Sequence, residues 1–183
     1  LIWIKIINND FINTSNGTEV HKRILNERLT PIIQADDNKH IYAVTELAAN
    51  MSFLYSVDSN WVIHKFLTVF DLDNVSQDMA LAVWDGWGKH GRPYTDILDA
   101  MSDLYKKLLN SYLLDRMGNI DGIINQFAHL IMFVSEKPVS DTIDLLKEVD
   151  NESRQFFHDQ VGYILKELDD TQKMNQWNRW IKH

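Results

Sequence analysis

Between Thr95 and Leu114 the apolar residues Ile97, Leu98, Met101, Leu104, Tyr105, Leu108, Leu109 and Tyr112 fall three and four positions apart. Side chains at that spacing line one face of an α-helix, because the helix turns once every 3.6 residues or so. The same rhythm returns in Ile24–Ile33, Ile41–Tyr55, Trp61–Phe70, Ile120–Val134 and Phe156–Leu168. Alternation of period two is partial and confined to Leu1–Ile12, where abundant isoleucine leaves helix and strand both open and helix is preferred. The chain is therefore read as all-α, with about eight or nine helices joined by links of about two to six residues. Short links make consecutive helices antiparallel neighbours, and helix pairs recur roughly every 40 residues. That pattern predicts one domain, 1–183, built as a right-handed stack of antiparallel helix pairs, a HEAT- or armadillo-like α-solenoid.

The punctuation between stripes has a physical reading at each break. Pro31 lacks an N–H and is expected to kink or split its helix near Arg28 and Leu29. Thr18, Ser76, and Ser140 or Asp141 are placed to cap the helices that follow them; Asp58-Ser-Asn60 reads as a turn with a capping residue, Asp150-Asn-Glu-Ser153 as a further break, and Asp169-Asp170-Thr171 as the opening of the last segment. Gly86, Gly88 and Gly91 are expected to break the helix that carries Trp84 and Trp87, and Pro93 to open the next. Gly118-Asn119 reads as a left-handed helix stop, and Ala35–Lys39 as a polar link.

The bulk numbers narrow the function. An apolar fraction of 45% and a charged fraction of 24% are ordinary for a globular chain of 183 residues. No apolar run approaches the roughly 20 residues that span a bilayer, so no membrane partner is expected. A net charge of −8 has the wrong sign for binding phosphate backbones, and the densest basic groups, His21-Lys22-Arg23 and Lys106-Lys107, look like solvated helix faces. Nucleic acid is excluded as a principal partner. Without cysteine there is no disulfide, thiol nucleophile or thiolate metal ligand. A cytoplasmic setting suits such a chain. It begins at Leu1, and both ends are read as cuts through a longer polypeptide.

The side chains suited to chemistry do not converge in sequence. No two histidines stand at helical ligand spacing, and His64 and His129 are read as partly buried structural residues. The acidic pairs Asp36-Asp37, Asp71/Asp73 and Asp169-Asp170 sit at helix ends, where carboxylates cap N–H groups. No catalytic residue, metal ligand or cofactor is expected. Trp61, Trp84 and Trp87 belong to the core, whereas Trp177, Arg179 and Trp180 near the end of the chain are left as candidate contacts for a partner. Lys89, His90 and Arg92 at the glycine joint form an alternative site for an anion such as a nucleotide, if the glycine amides turn toward it.

Four segments carry a family likeness: Val57-Asp-Ser-Asn-Trp61 leading to Phe70-Asp-Leu-Asp73, Ala82-Val-Trp-Asp-Gly-Trp87, Gly91-Arg-Pro93, and Trp177-Asn-Arg-Trp180. Together they resemble the C-terminal helical domain of bacterial sirtuin-like anti-phage defence proteins, with Trp87 standing where that family has an aliphatic residue. The resemblance implies a parent protein whose NAD-consuming chemistry lies in another domain. It implies for this chain a non-enzymatic role as a scaffold, an oligomerisation surface or a sensor, with a protein partner that is another domain of the parent chain, another protomer, or a phage or host protein.

Overall fold

The computed structural model describes residues 17–35, 40–92, 94–111 and 113–182. Every regular element among them is helical, in agreement with the periodicity. The expectations for Leu1–Ile12, for Asn13–Asn16, for the Asp36–Lys39 link, for Pro93 and for Tyr112 lie outside the described residues. No described helix is long and apolar enough to cross a membrane. The chain divides into two compact units, Leu1–Gly91 and Arg92–His183.

Eleven α-helices are present among the described residues, more than the eight or nine expected. The surplus arises because several single stripes are broken locally. In the first unit, α1 (Gly17–Ile24) runs into a π-turn at Leu25–Leu29 and then into α2 (Thr30–Gln34). Thr18 thus lies inside α1 rather than capping it. The split falls at Arg28–Leu29 as Pro31 requires. A proline leaves the carbonyl four residues back without its donor, and the widened turn absorbs the misfit. There the Thr30 N–H reaches back to the Leu25 carbonyl. The Thr30 hydroxyl donates to the same oxygen at 3.2 Å and accepts from the Trp61 indole N–H at 2.9 Å.

Asn50 divides the next stripe into α3 (Ile41–Ala49) and α4 (Met51–Val57), with its side-chain amide on the Glu46 carbonyl at 2.8 Å. Asp58 caps α5 (Ser59–Trp61) by accepting from the Trp61 N–H at 3.0 Å. A π-turn at Val62–Phe66 and a 3-10 turn at Leu67–Phe70 follow. Along this stretch Val62, Phe66, Val69 and Phe70 lie inside, and Ile63 and His64 lie at the surface. Capped by Ser76, α6 spans Gln77–His90.

The core of this unit is an aromatic ladder. Trp61 stacks on Phe66 with centroids 5.7 Å apart, Phe66 meets Phe70 edge-on at 5.7 Å, and Phe70 meets Trp84 edge-on at 5.1 Å. The Trp84 indole N–H donates to the Phe70 carbonyl at 3.2 Å, so the ladder buries no unanswered donor at that end. The principal helix pair here is α3 with α6, which are not consecutive. Gly86 makes that pairing possible: a Cβ there would lie 2.3 Å from the Thr45 carbonyl oxygen. The helix therefore continues through Gly86 and Gly88 and stops only at Gly91, not at the first glycine as expected. His21 is fully buried, so the basic group at the start of the chain is not wholly a solvated face.

In the second unit α7 (Thr95–Leu109) ends five residues before the stripe suggests. The Asn110 amide takes the Lys106 carbonyl at 2.8 Å and the Ser111 hydroxyl takes that of Leu108 at 2.7 Å. Side chains that satisfy the last carbonyls compete with a further helical turn. A 3-10 turn at Leu114–Arg116 then leads to α8 (Ile120–Phe133), and Gly118 does not adopt a left-handed conformation. The central helix is α8: α7, α9 (Pro138–Glu148) and α10 (Asn151–Glu167) all pack on it. Buried Tyr105 donates to Gln126 at 2.9 Å and stands edge-on to Phe127 at 5.6 Å. Pro138 opens α9 without a side-chain cap, and Asp141 instead accepts from the Ser135 hydroxyl at 2.5 Å.

Asp150 caps α10, accepting from the Ser153 N–H at 2.8 Å. That amide, with the Ser153 hydroxyl, holds the carboxyl below its ordinary value of 3.8. A lowered pKa makes the cap stabilising above that value and progressively lost as pH falls through the folded one. Thermal unfolding of Asp150→Asn beside the unsubstituted chain is expected to show lower stability near neutral pH, with the gap closing in strong acid. A gap that widens in acid would reverse the assigned sign.

Candidate functional site

The last helix, α11 (Asp170–Ile181), follows α10 after two residues. Leu168 is extended and Asp169 starts the new helix with a full capping box, its carboxylate on the Gln172 N–H at 2.8 Å and the Gln172 side chain on the Asp169 N–H at 3.0 Å. What fastens α11 is mainly polar. The Arg179 guanidinium donates to the carbonyls of Met132 and Ser135, at the C-terminal end of α8, and to Gln176 Oε1 at 3.0 Å. Cation and orphan carbonyls suit each other at a helix C-terminus. Burial pushes the Arg179 guanidinium below its ordinary range, yet it stays charged.

Because the clamp holds one side of α11, the apolar side is left open. Trp177 is 64% exposed, Met174 59% and Ile181 60%, on a helix that buries only Gln176. The stripe of α10 is likewise only half covered: Phe157 and Ile164 are buried, whereas Val161 and Leu165 are not. Between the two helices lies a groove of about 870 Å³ whose apolar wall is Met132, Val161, Leu165, Met174, Trp177 and Trp180. Asp170, Lys173 and Gln176 supply its polar lining. A contiguous apolar surface of this kind is costly to leave in water.

The residues singled out in the sequence separate into three groups. Trp177 and Trp180 do line the groove, while Arg179 faces inward to the α8 carbonyls and is not available to a partner. Lys89 and His90 are exposed in the last turn of α6, and Arg92 is exposed at the start of the second unit. The amides of Gly86 and Gly88 lie within α6, so they form no loop around an anion. His64 is exposed, contrary to expectation, with Nδ1 3.0 Å from the Asn60 carbonyl oxygen, and His129 is partly buried with Nδ1 2.9 Å from that of Asn125. Among the described residues no three His, Asp or Glu side chains are grouped to hold a metal ion.

Val161, Leu165, Met132 and Met174 were not legible as site residues. The first two read as ordinary core positions of α10, and they are a surface because no described helix covers them. The four-three-four spacing of Asp170, Met174, Trp177 and Ile181 was present in the letters, but the helix is otherwise polar. No family model, curated protein or solved structure matches the chain.

The clamp is testable by itself. Arg179→Ala removes three charge-assisted hydrogen bonds at a partly exposed position, for an expected loss of about 1.5 kcal/mol in urea denaturation of the chain. Arg179→Lys recovers little, because one ammonium does not span the two carbonyls as a guanidinium does. Equal stability of all three proteins would mean that α11 is held by something else.

Proposed function

We propose that this chain is a non-enzymatic protein-interaction module of a larger bacterial cytoplasmic protein, and that the α10–α11 groove is its docking surface. The observation that carries the reading is Trp177, 64% exposed beside an apolar groove that no described element fills. Tryptophan at the centre of such a surface supplies binding energy out of proportion to its number. Held by Arg179, the groove wall is fixed before the partner arrives, which lowers the ordering cost of docking. A HEAT-like stacking of helix pairs belongs to the proposal, supported by the packing of the consecutive helices α7 and α8. The resemblance to the helical domain of sirtuin-like anti-phage defence proteins supplies the parent: an NAD-consuming effector whose catalytic domain lies elsewhere and which this module scaffolds or restrains.

The test is selection of amphipathic helical peptides against the chain from a display library, followed by binding measured by fluorescence polarisation. Selected peptides are expected to lose at least about tenfold in affinity for Trp177→Asp, and nothing for Arg92→Ala. Peptides indifferent to Trp177→Asp would remove the groove from the account. NAD hydrolysis by the purified chain would remove the non-enzymatic reading.

A further inference from the structure

We infer that the occupant of the α10–α11 groove is a second copy of the chain, its α11 docked antiparallel across a two-fold axis that passes between Met174 and Trp177. The inference rests on the docking role given to the groove above and names what fills it. Asp170, Met174, Trp177 and Ile181 follow one another at intervals of four, three and four residues, so they share one narrow stripe of α11. All four are exposed. Arg179 lies on the opposite side of the helix, facing the C-terminal end of α8, so a copy seated on the stripe leaves its bonds to the Met132 and Ser135 carbonyls untouched.

The stripe is complementary to itself in one orientation only. A second α11 laid antiparallel, with Met174 opposite Trp177, sets Asp170 of one copy level with Ile181 of the other and Asp169 level with Lys182. The helix starts on Asp169 and Asp170 and ends on Lys182, all exposed. Antiparallel docking therefore brings each acidic start beside a basic end and opposes the two helix dipoles. Parallel docking would put Asp170 beside Asp170 and add like charge to like dipole. At the centre the thioether of Met174 meets the partner indole, a favourable sulfur–aromatic contact made twice by the symmetry. The groove wall formed by Val161 and Leu165 extends the contact beyond a single helix.

Sedimentation equilibrium over a micromolar to submillimolar series tests this. The unsubstituted chain is expected to pass from monomer to dimer, and Trp177→Asp to weaken the association at least about tenfold with an unchanged far-ultraviolet dichroism spectrum. Asp170→Lys and Lys182→Asp are each expected to weaken it severalfold, the effect fading at high salt, and the double variant to recover most of the loss. General stickiness of an exposed tryptophan would not produce that recovery. A chain that stays monomeric throughout overturns the self-docking inference, and one that does so while its groove still binds selected peptides leaves the interaction role standing. A dimer indifferent to Trp177→Asp, or a double variant no better than its parents, overturns the assigned register.

Discussion

Trp84→Ala is expected to lower the stability of the first unit by about 3–5 kcal/mol, the range for removing a buried tryptophan. Trp84 is fully buried, edge-on to Phe70, and its indole N–H satisfies the Phe70 carbonyl. Truncation thus opens a cavity at the end of the Trp61–Phe66–Phe70 ladder and strips a buried acceptor of its donor. Trp84→Phe separates the two contributions: it keeps most of the apolar volume and loses the hydrogen bond, for an expected cost nearer 1–2 kcal/mol. Urea denaturation followed by far-ultraviolet dichroism reads both. Near-equal losses for phenylalanine and alanine would place the energy in the hydrogen bond and not in the packing.

Gly86→Ala carries the second large effect. Alanine is ordinarily the better helix former by about 1 kcal/mol. Here its Cβ would sit 2.3 Å from the Thr45 carbonyl oxygen, an atom fixed in the backbone of α3. Two helices must move apart along the main pairing of the unit, and overpacking of that kind costs about 1–3 kcal/mol or more. The net result is destabilisation, and Thr45→Ala does not relieve it, because the oxygen in the way is main chain. Gly162→Ala is the control. It lies within α10 with nothing within 4 Å of the added carbon, so propensity alone acts and the chain gains about 0.5–1 kcal/mol. Opposite signs at two helical glycines are the expected result, read as midpoints of thermal unfolding. Stabilisation by Gly86→Ala would mean that α3 and α6 do not approach as closely as described.

The comparison of these glycines shows where sequence reasoning stopped. Apolar periodicity gave the helical class and the burial of Trp61, Trp84 and Trp87, since both follow from local spacing. The cap at Ser76 was legible for the same reason, as were those within the Asp58–Asn60 turn and the Asp169-Asp170 pair, whereas Asp150 read only as a break. Gly86 was misread as a break because its function is tertiary: it removes a side chain where another helix passes, and nothing in the neighbouring letters reports that helix. The π-turns at Leu25–Leu29 and Val62–Phe66 were not legible, because spacing rules do not count the extra residue that such a turn holds. The groove was half legible. Trp177 and Trp180 stood out by type, but Val161 and Leu165 become a surface only because α11 is fastened by Arg179 at its polar side instead of lying down on its apolar one. Arg179 itself was assigned outward because the carbonyls that claim it lie 44 and 47 residues away.

A nitrogen-15 correlation spectrum recorded while a selected helical peptide is titrated into the isotope-labelled chain bears most directly on the docking role of α10 and α11. The account predicts that the shifts concentrate at Val161, Leu165, Met174, Trp177 and the indole N–H of Trp180, with Lys89, His90 and Arg92 unmoved. Shifts gathered at Lys89–Arg92, with the groove silent, would contradict it.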